Sequence, residues 1–274
     1  MPVVSPLFDV LIMDMLYHKI VPNPSSNKWV VFVHGAGGSS SIWFKQIKEY
    51  KKHFNLLFLD LRGHGRSYQK KPKGFLRTYS FKEVTNDILE LLDHLKIAKA
   101  HFVGMSLGTI LIRNLAELAP QRVASMVMGG AVTRLGFRTQ TLVKLGDACK
   151  HFIPYMWLYR LFAHVLMPTK AQDESRNMFI REAKKLCQKE FKRWFKLAGD
   201  VNPLMKFLKE KDLNIPTLYL MGVNDYMFIR PVREMAKNHS ASTLIEIDDC
   251  GHVCNVEKAD VFNRHSIKFI SEAS

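Results

Sequence analysis

Gly104-Met105-Ser106-Leu107-Gly108 follows the apolar run Ala100-His101-Phe102-Val103 and opens a segment that is apolar at Ile110, Leu111, Leu115 and Leu118. A short apolar run passing directly into a helical period predicts a buried strand that turns sharply into a helix. Such a turn holds its serine in a strained backbone conformation. The flanking positions must lack side chains so that strand and helix can close in, and here both are glycine. The stretch therefore marks Ser106 as a candidate nucleophile. A hydroxyl is weakly nucleophilic at neutral pH, so the reading requires a base and an acid that orients the base.

Partners stand downstream. Asp249-Cys250-Gly251-His252-Val253 follows the apolar run 244–247 and offers His252 as the base. Gly222-Val223-Asn224-Asp225 follows the apolar run 217–221 and offers Asp225 as the acid. Asp248 and Asp249 also lie near His252 in sequence, but such local spacing does not suit residues held at different strand ends. Upstream, His34-Gly35-Ala36-Gly37-Gly38 follows the apolar run 28–33, where a backbone N–H can face a developing oxyanion. The expected oxyanion donors are the N–H groups of Ala36 and Leu107.

Working outward, continuous apolar runs at 28–33, 55–61, 100–103, 125–129 and 217–221 read as strands buried on both faces. Helical segments at 42–50, 80–95, 107–119, 232–239 and 259–270 alternate with them. This alternation predicts an α/β fold with a mostly parallel sheet covered on both faces. It fails across 134–211, which is helical in character throughout and rich in aromatic, basic and methionine residues. The expected division is a core of 1–133 and 212–274 with a helical cap at 134–211. The stretch from Val3 to Ile20 is interrupted by Asp9 and Asp14 and reads as one or two strands rather than a signal peptide or membrane span.

The motifs H-G-A-G-G, D-L-R-G-H-G-R-S (60–67), G-M-S-L-G, G-V-N-D and G-H-V occur in an order that resembles the α/β-hydrolase family, of the cap-bearing esterase, lipase and C–C hydrolase type. The resemblance implies an eight-stranded sheet with one antiparallel strand, a cap after the sixth strand, and no metal or organic cofactor. It also implies that His34 and His64 brace loops rather than react. A serine at the elbow is unlike the dehalogenase and epoxide hydrolase branches, whose nucleophile is a carboxylate. It remains compatible with ester, thioester, lactone and C–C bond cleavage and with perhydrolysis.

Composition bounds the rest. The chain has 274 residues, 47% hydrophobic and 24% charged, which is globular. Four scattered cysteines predict no disulfide framework and a reduced, cytoplasmic setting. Cys250 and Cys254 flank His252, but the spacing matches no standard zinc site; thiol modification there is expected to disturb activity. The net charge of +15 comes from lysine clusters without a nucleic-acid motif, so no nucleic-acid partner is expected, and weak association with anionic membranes is left open.

The dense apolar block from Phe152 to Met167 would suit an acyl or aromatic group. Met105, Trp157, Phe162 and Val253 are the candidate substrate-binding residues. The function expected is a serine hydrolase of small carboxylic esters with an apolar acyl or aromatic group, acting through a Ser-His-Asp triad and an acyl-enzyme. The alternatives are a C–C bond or lactone hydrolase on the same triad, and a non-catalytic ligand receptor on the same fold.

Overall fold

The computed structural model describes residues 15–68, 79–149, 152–209 and 211–273. Seven strands form one sheet: β1 (His18–Val21), β2 (Trp29–Val33), β3 (Asn55–Leu59), β4 (Ala100–Met105), β5 (Val123–Gly129), β6 (Thr217–Gly222) and β7 (Ser242–Ile247). Their order is β1-β3-β2-β4-β5-β6-β7, with β1 antiparallel to β3 and every other pair parallel. The central strands are buried along their whole length, which is what continuous apolar runs without alternation require.

Successive strand residues point to opposite faces, and the core divides accordingly. Val31, Val33, Phe102 and Met221 pack into one cluster with α2 (Phe81–His94), α3 (Leu107–Leu118) and α9 (Ile229–Asn238). Val30, Phe32, Val103 and Leu220 pack into the other with α1 (Phe44–Tyr50) and α11 (Ala259–Glu272). Helix α2 begins where Ser80, extended at its backbone, accepts a hydrogen bond from the Glu83 N–H at 3.1 Å, satisfying one of the helix's orphan donors.

Two expectations change. The described sheet has seven strands rather than eight. Of the apolar N-terminal stretch, β1 is the described part, and residues 1–14 lie outside the described residues. The helical stretch consequently follows the fifth described strand, not the sixth. Between β5 and β6 run α4 (Phe137–Cys149), α5 (Tyr155–Leu166), α6 (Asp173–Ala183), α7 (Gln188–Leu197) and α8 (Val201–Lys209). Leu158, Tyr159, Ala183, Leu186 and Phe191 form an apolar cluster of their own within this stretch. Helix α7 also docks on the core, where the Trp194 indole donates to the Arg62 carbonyl at 3.0 Å. No helix among the described residues is long and apolar enough to cross a membrane.

Candidate active site

The elbow is built by close approach. Ser106 sits at the end of β4 with φ 53° and ψ −118°, a conformation that a residue with a Cβ rarely adopts. Its N–H donates to Gly129 of the neighbouring strand at 3.0 Å, and its carbonyl accepts from the N–H and hydroxyl of Thr109. A Cβ on Gly108 would lie 2.2 Å from the Val33 carbonyl oxygen, so α3 can start this close to β2 only with glycine there. The serine hydroxyl is thereby raised above the C-terminal edge of the sheet.

His252 comes to it from a loop that follows β7, and Asp225 from the turn that follows β6. Gly222 makes this possible: a side chain there would meet the Gly251 and Cys250 carbonyls at 2.2 and 2.3 Å. The Asn224 N–H then donates to the Cys250 carbonyl at 2.9 Å and ties the two loops. His252 Nε2 lies 2.9 Å from Ser106 Oγ, and His252 Nδ1 lies 2.8 Å from Asp225 Oδ2. Because a carboxylate only accepts, Nδ1 carries the proton and Nε2 faces the serine hydroxyl as an acceptor. Asp248 and Asp249 are exposed, while Asp225 and His252 are buried.

Burial alone would push the His252 pKa down. The charge and hydrogen bond of Asp225, and the charge of Glu257, outweigh it and hold the imidazole above its usual value. A base so placed can take the hydroxyl proton and be stabilised as the cation.

In the loop around Ala36 two backbone donors are taken up. The Gly37 N–H donates to His64 Nε2 at 3.0 Å and the Gly38 N–H to the Gly35 carbonyl at 3.1 Å. The Ala36 and Leu107 N–H groups have no such partner among the described residues, and both residues line the cavity above Ser106. This is the arrangement an oxyanion needs.

His34 and His64 are braces. His34 Nδ1 donates to the Gly35 carbonyl at 2.8 Å while its Nε2 accepts from the Leu61 N–H at 2.9 Å. His64 likewise spans the Arg62 carbonyl and the Gly37 N–H. Burial, and then the neighbouring His34, push the His64 pKa down to about 3, so it stays neutral.

A cavity of about 260 Å³ opens on Ser106 and His252. Met105, Phe162 and Val253 line it. Trp157 does not: its side chain is 68% exposed on the outer face of α5, because the inward positions of that helix are taken by Leu158, Tyr159 and Ala163. The cavity wall is otherwise mostly aliphatic and aromatic, with the hydroxyl residues Thr139 and Ser175, and no lysine or arginine among the described residues lines it. Its one carboxylate is Glu182, buried on α6, which accepts from Ser39 Oγ at 2.6 Å and pairs with Lys185 at 2.7 Å. Burial would raise the Glu182 pKa, but the bonds from Lys185 and Ser39 prevail and hold it below the usual carboxylate value.

The thiols near His252 are enclosed by the fold. Cys250 and Cys254 are fully buried, and burial pushes both thiol pKa values far up. Both shifts oppose formation of the thiolate, which is the form that attacks a modifying reagent.

Two contributors escaped the sequence reading. Tyr159 packs its ring over Gly37 in the Ala36 loop and lines the cavity; only the fold brings residues so far apart together. Glu257 is the other. Its carboxylate accepts from the Gly251 N–H at 2.7 Å, the Val253 N–H at 3.1 Å and the Ser175 hydroxyl at 3.3 Å, so it grips the backbone on both sides of His252. A carboxylate five positions after the histidine, in a short turn of helix, was the available signal. Glu257→Gln keeps one acceptor but removes the charge that helps to raise the His252 pKa. The acid limb of the kcat/KM profile is expected to move to lower pH, with kcat reduced about tenfold by the loosened loop. A titration of rate against pH checks this, and an unmoved limb would show that the carboxylate acts on structure alone.

The comparisons agree with this fold. Residues 28–150 match the model of the α/β-hydrolase fold. A relative from Stutzerimonas stutzeri, described as "Putative carbamate hydrolase RutD", is 33% identical over 89% of this chain and 91% of its own. The dihydrolipoyllysine-residue acetyltransferase component of an acetoin-cleaving system from Pseudomonas putida is 30% identical over 88% of this chain. The chain spans 63% of that relative's length. Among solved structures, the enol-lactonase from Burkholderia xenovorans LB400 superposes with a TM-score of 0.78 at 24% identity, covering 94% of this chain and 96% of that one. With the ordered motifs on one mostly parallel sheet and a relative of this identity matched over nearly its full length, the chain belongs to the α/β-hydrolase fold family.

Proposed function

We propose that this protein is a serine hydrolase that transfers an uncharged, apolar acyl group from a small ester to water. The observation that carries the reading is the unbroken chain Asp225–His252–Ser106 opening on a cavity with an apolar wall. In the proposed sequence Ser106 Oγ attacks the acyl carbonyl as His252 Nε2 takes its proton. The oxyanion is held by the N–H groups of Ala36 and Leu107. His252 then protonates the departing alcohol, which leaves an acyl-serine. Water, deprotonated by the same imidazole, releases the acid and restores the hydroxyl.

The cavity wall supports a choice of substrate class. An acyl chain carrying its own carboxylate would lose its hydration against apolar walls, find no cation there, and face the negative Glu182. A neutral chain gains from burial at every methylene. This supports a hydrolase of neutral acyl groups, while relatives of the same fold are named for lactones and carbamates.

The test is a series of p-nitrophenyl esters of increasing chain length, read as kcat/KM. Each buried methylene contributes about 0.8 kcal/mol, so the value is expected to rise about fourfold per added carbon until the cavity is full. Esters of dicarboxylic half-acids should fall well below their neutral counterparts. A flat series, or a preference for the carboxylate-bearing esters, overturns the assignment. Turnover of lactones with none of open-chain esters would replace it with a lactonase.

A further inference from the structure

The outer surface of the helical stretch is apolar where a water-exposed surface should be polar. Six of the eleven large hydrophobic side chains that stand exposed among the described residues fall between 137 and 165. On α5, Trp157, Leu161 and Val165 are spaced four residues apart and so form one stripe along the helix. The opposite face of α5, with Leu158, Tyr159 and Ala163, is buried in the cluster that includes Phe191. A helix apolar on both sides is half explained by the protein's own core, and its outer half is without a partner among the described residues. Phe137 and Leu145 on α4, and Phe152 between the helices, are exposed as well, at 84%, 59% and 89%.

Charge selects the occupant. From 134 to 167 the sequence holds five arginines and lysines (Arg134, Arg138, Lys144, Lys150, Arg160) against one acid, Asp147. Arg134, Lys144 and Arg160 are exposed, and none of the ion pairs among the described residues involves them. A second copy of the chain would bring an equally basic face against this one, which like charges oppose. An anionic lipid surface complements both the cations and the apolar stripe: cations meet headgroups while Trp157, Leu161 and Val165 enter the boundary with the acyl chains.

We infer that the outer face of α4 and α5 is a docking surface for anionic membranes, through which the protein rests on a bilayer without spanning it. Val165 is exposed on this stripe and also lines the cavity, so the docked face adjoins the wall of the site. An apolar substrate dissolved in the bilayer would have a short path to Ser106. The docking itself stands independently of the proposed hydrolysis.

Flotation of full-length protein carrying Ser106→Ala, which leaves lipid unaltered, separates the two. Vesicles of phosphatidylcholine with about 30% phosphatidylglycerol are expected to carry the protein at low salt, and pure phosphatidylcholine to carry far less. Trp157 emission should shift to the blue on binding, because its ring leaves water. The Trp157→Ser/Leu161→Ser double variant is expected to lower the partition coefficient by tenfold or more, and Arg160→Gln/Lys144→Gln by about fivefold per cation removed. Melting temperature and turnover of a short soluble ester should be unchanged when these pairs are placed in otherwise unaltered protein. No flotation on anionic vesicles overturns the inference. So does flotation that survives both double variants, since the contact would then lie elsewhere on the basic surface. A concentration-dependent dimer that Trp157→Ser/Leu161→Ser abolishes, with no lipid binding, would give the face to a second copy instead.

Discussion

Ser106→Ala is expected to lower kcat on a p-nitrophenyl ester by roughly 10⁵-fold while leaving the melting temperature nearly unchanged. The activity falls because the substitution deletes the atom that forms the acyl intermediate. Water attacking in its place has no fixed position beside His252. The residual rate comes from the Ala36 and Leu107 donors, which still face the carbonyl oxygen. Stability is spared because the backbone bonds that hold the elbow, from the Ser106 N–H to Gly129 and from Thr109 to the Ser106 carbonyl, do not involve the hydroxyl. Burst kinetics on unaltered protein and labelling by a fluorophosphonate complete the measurement. Label on the unaltered chain and none on Ser106→Ala is the expected pair. A variant that keeps more than a small fraction of the rate would remove Ser106 from the chemistry, and labelling without turnover would favour a receptor.

The second large effect belongs to Asp225→Asn, expected to reduce kcat about 10⁴-fold with little change in KM. An asparagine can donate to His252 Nδ1, and in that arrangement the imidazole proton moves to Nε2. Nε2 would then point a donor at Ser106 Oγ instead of the acceptor the proton transfer needs. The variant also removes the main charge that holds the His252 pKa above its usual value. Its remaining activity is therefore expected to have an acid limb shifted to lower pH. Among the described residues the Asp225 side chain bonds to His252 and not to the apolar cavity wall, so the binding of an apolar acyl group has no reason to change. A fall confined to KM would show that Asp225 holds the loop and does not set the tautomer.

Much of this was legible in the chain itself. Buried parallel strands advertise themselves because both faces need apolar side chains, and the runs at 29–33, 55–59 and 217–222 lie within a residue or two of the expected ones. Asn55 to Leu61 reads as one strand, yet β3 ends at Leu59. The Asp60 carboxylate turns the chain by accepting from the Ser40 and Arg66 N–H groups at 2.7 and 2.8 Å. The glycine-punctuated stretch 60–67 announces a turn, but its first residue is fixed partly by Ser40, a donor from another segment.

The limits of the sequence show most clearly in the helical stretch. Trp157 and Phe162 are both large, apolar and on the same helix, and composition treats them alike. The tertiary structure places Phe162 against the cavity and Trp157 in water, because the side of α5 that faces the core is decided by Phe179, Phe191 and Phe195 on other helices.

The sequence by itself determined the fold family and singled out Ser106, His252 and Asp225 as the candidate nucleophile, base and acid, since each is a particular residue type at the end of a strand whose period is local. Only the tertiary structure decided the shape and charge of the cavity, the grip of Glu257 on the His252 loop, the burial of the two thiols, and the apolar face turned outward. Those depend on which surfaces meet across dozens of residues, and a linear pattern of hydrophobicity holds no record of that.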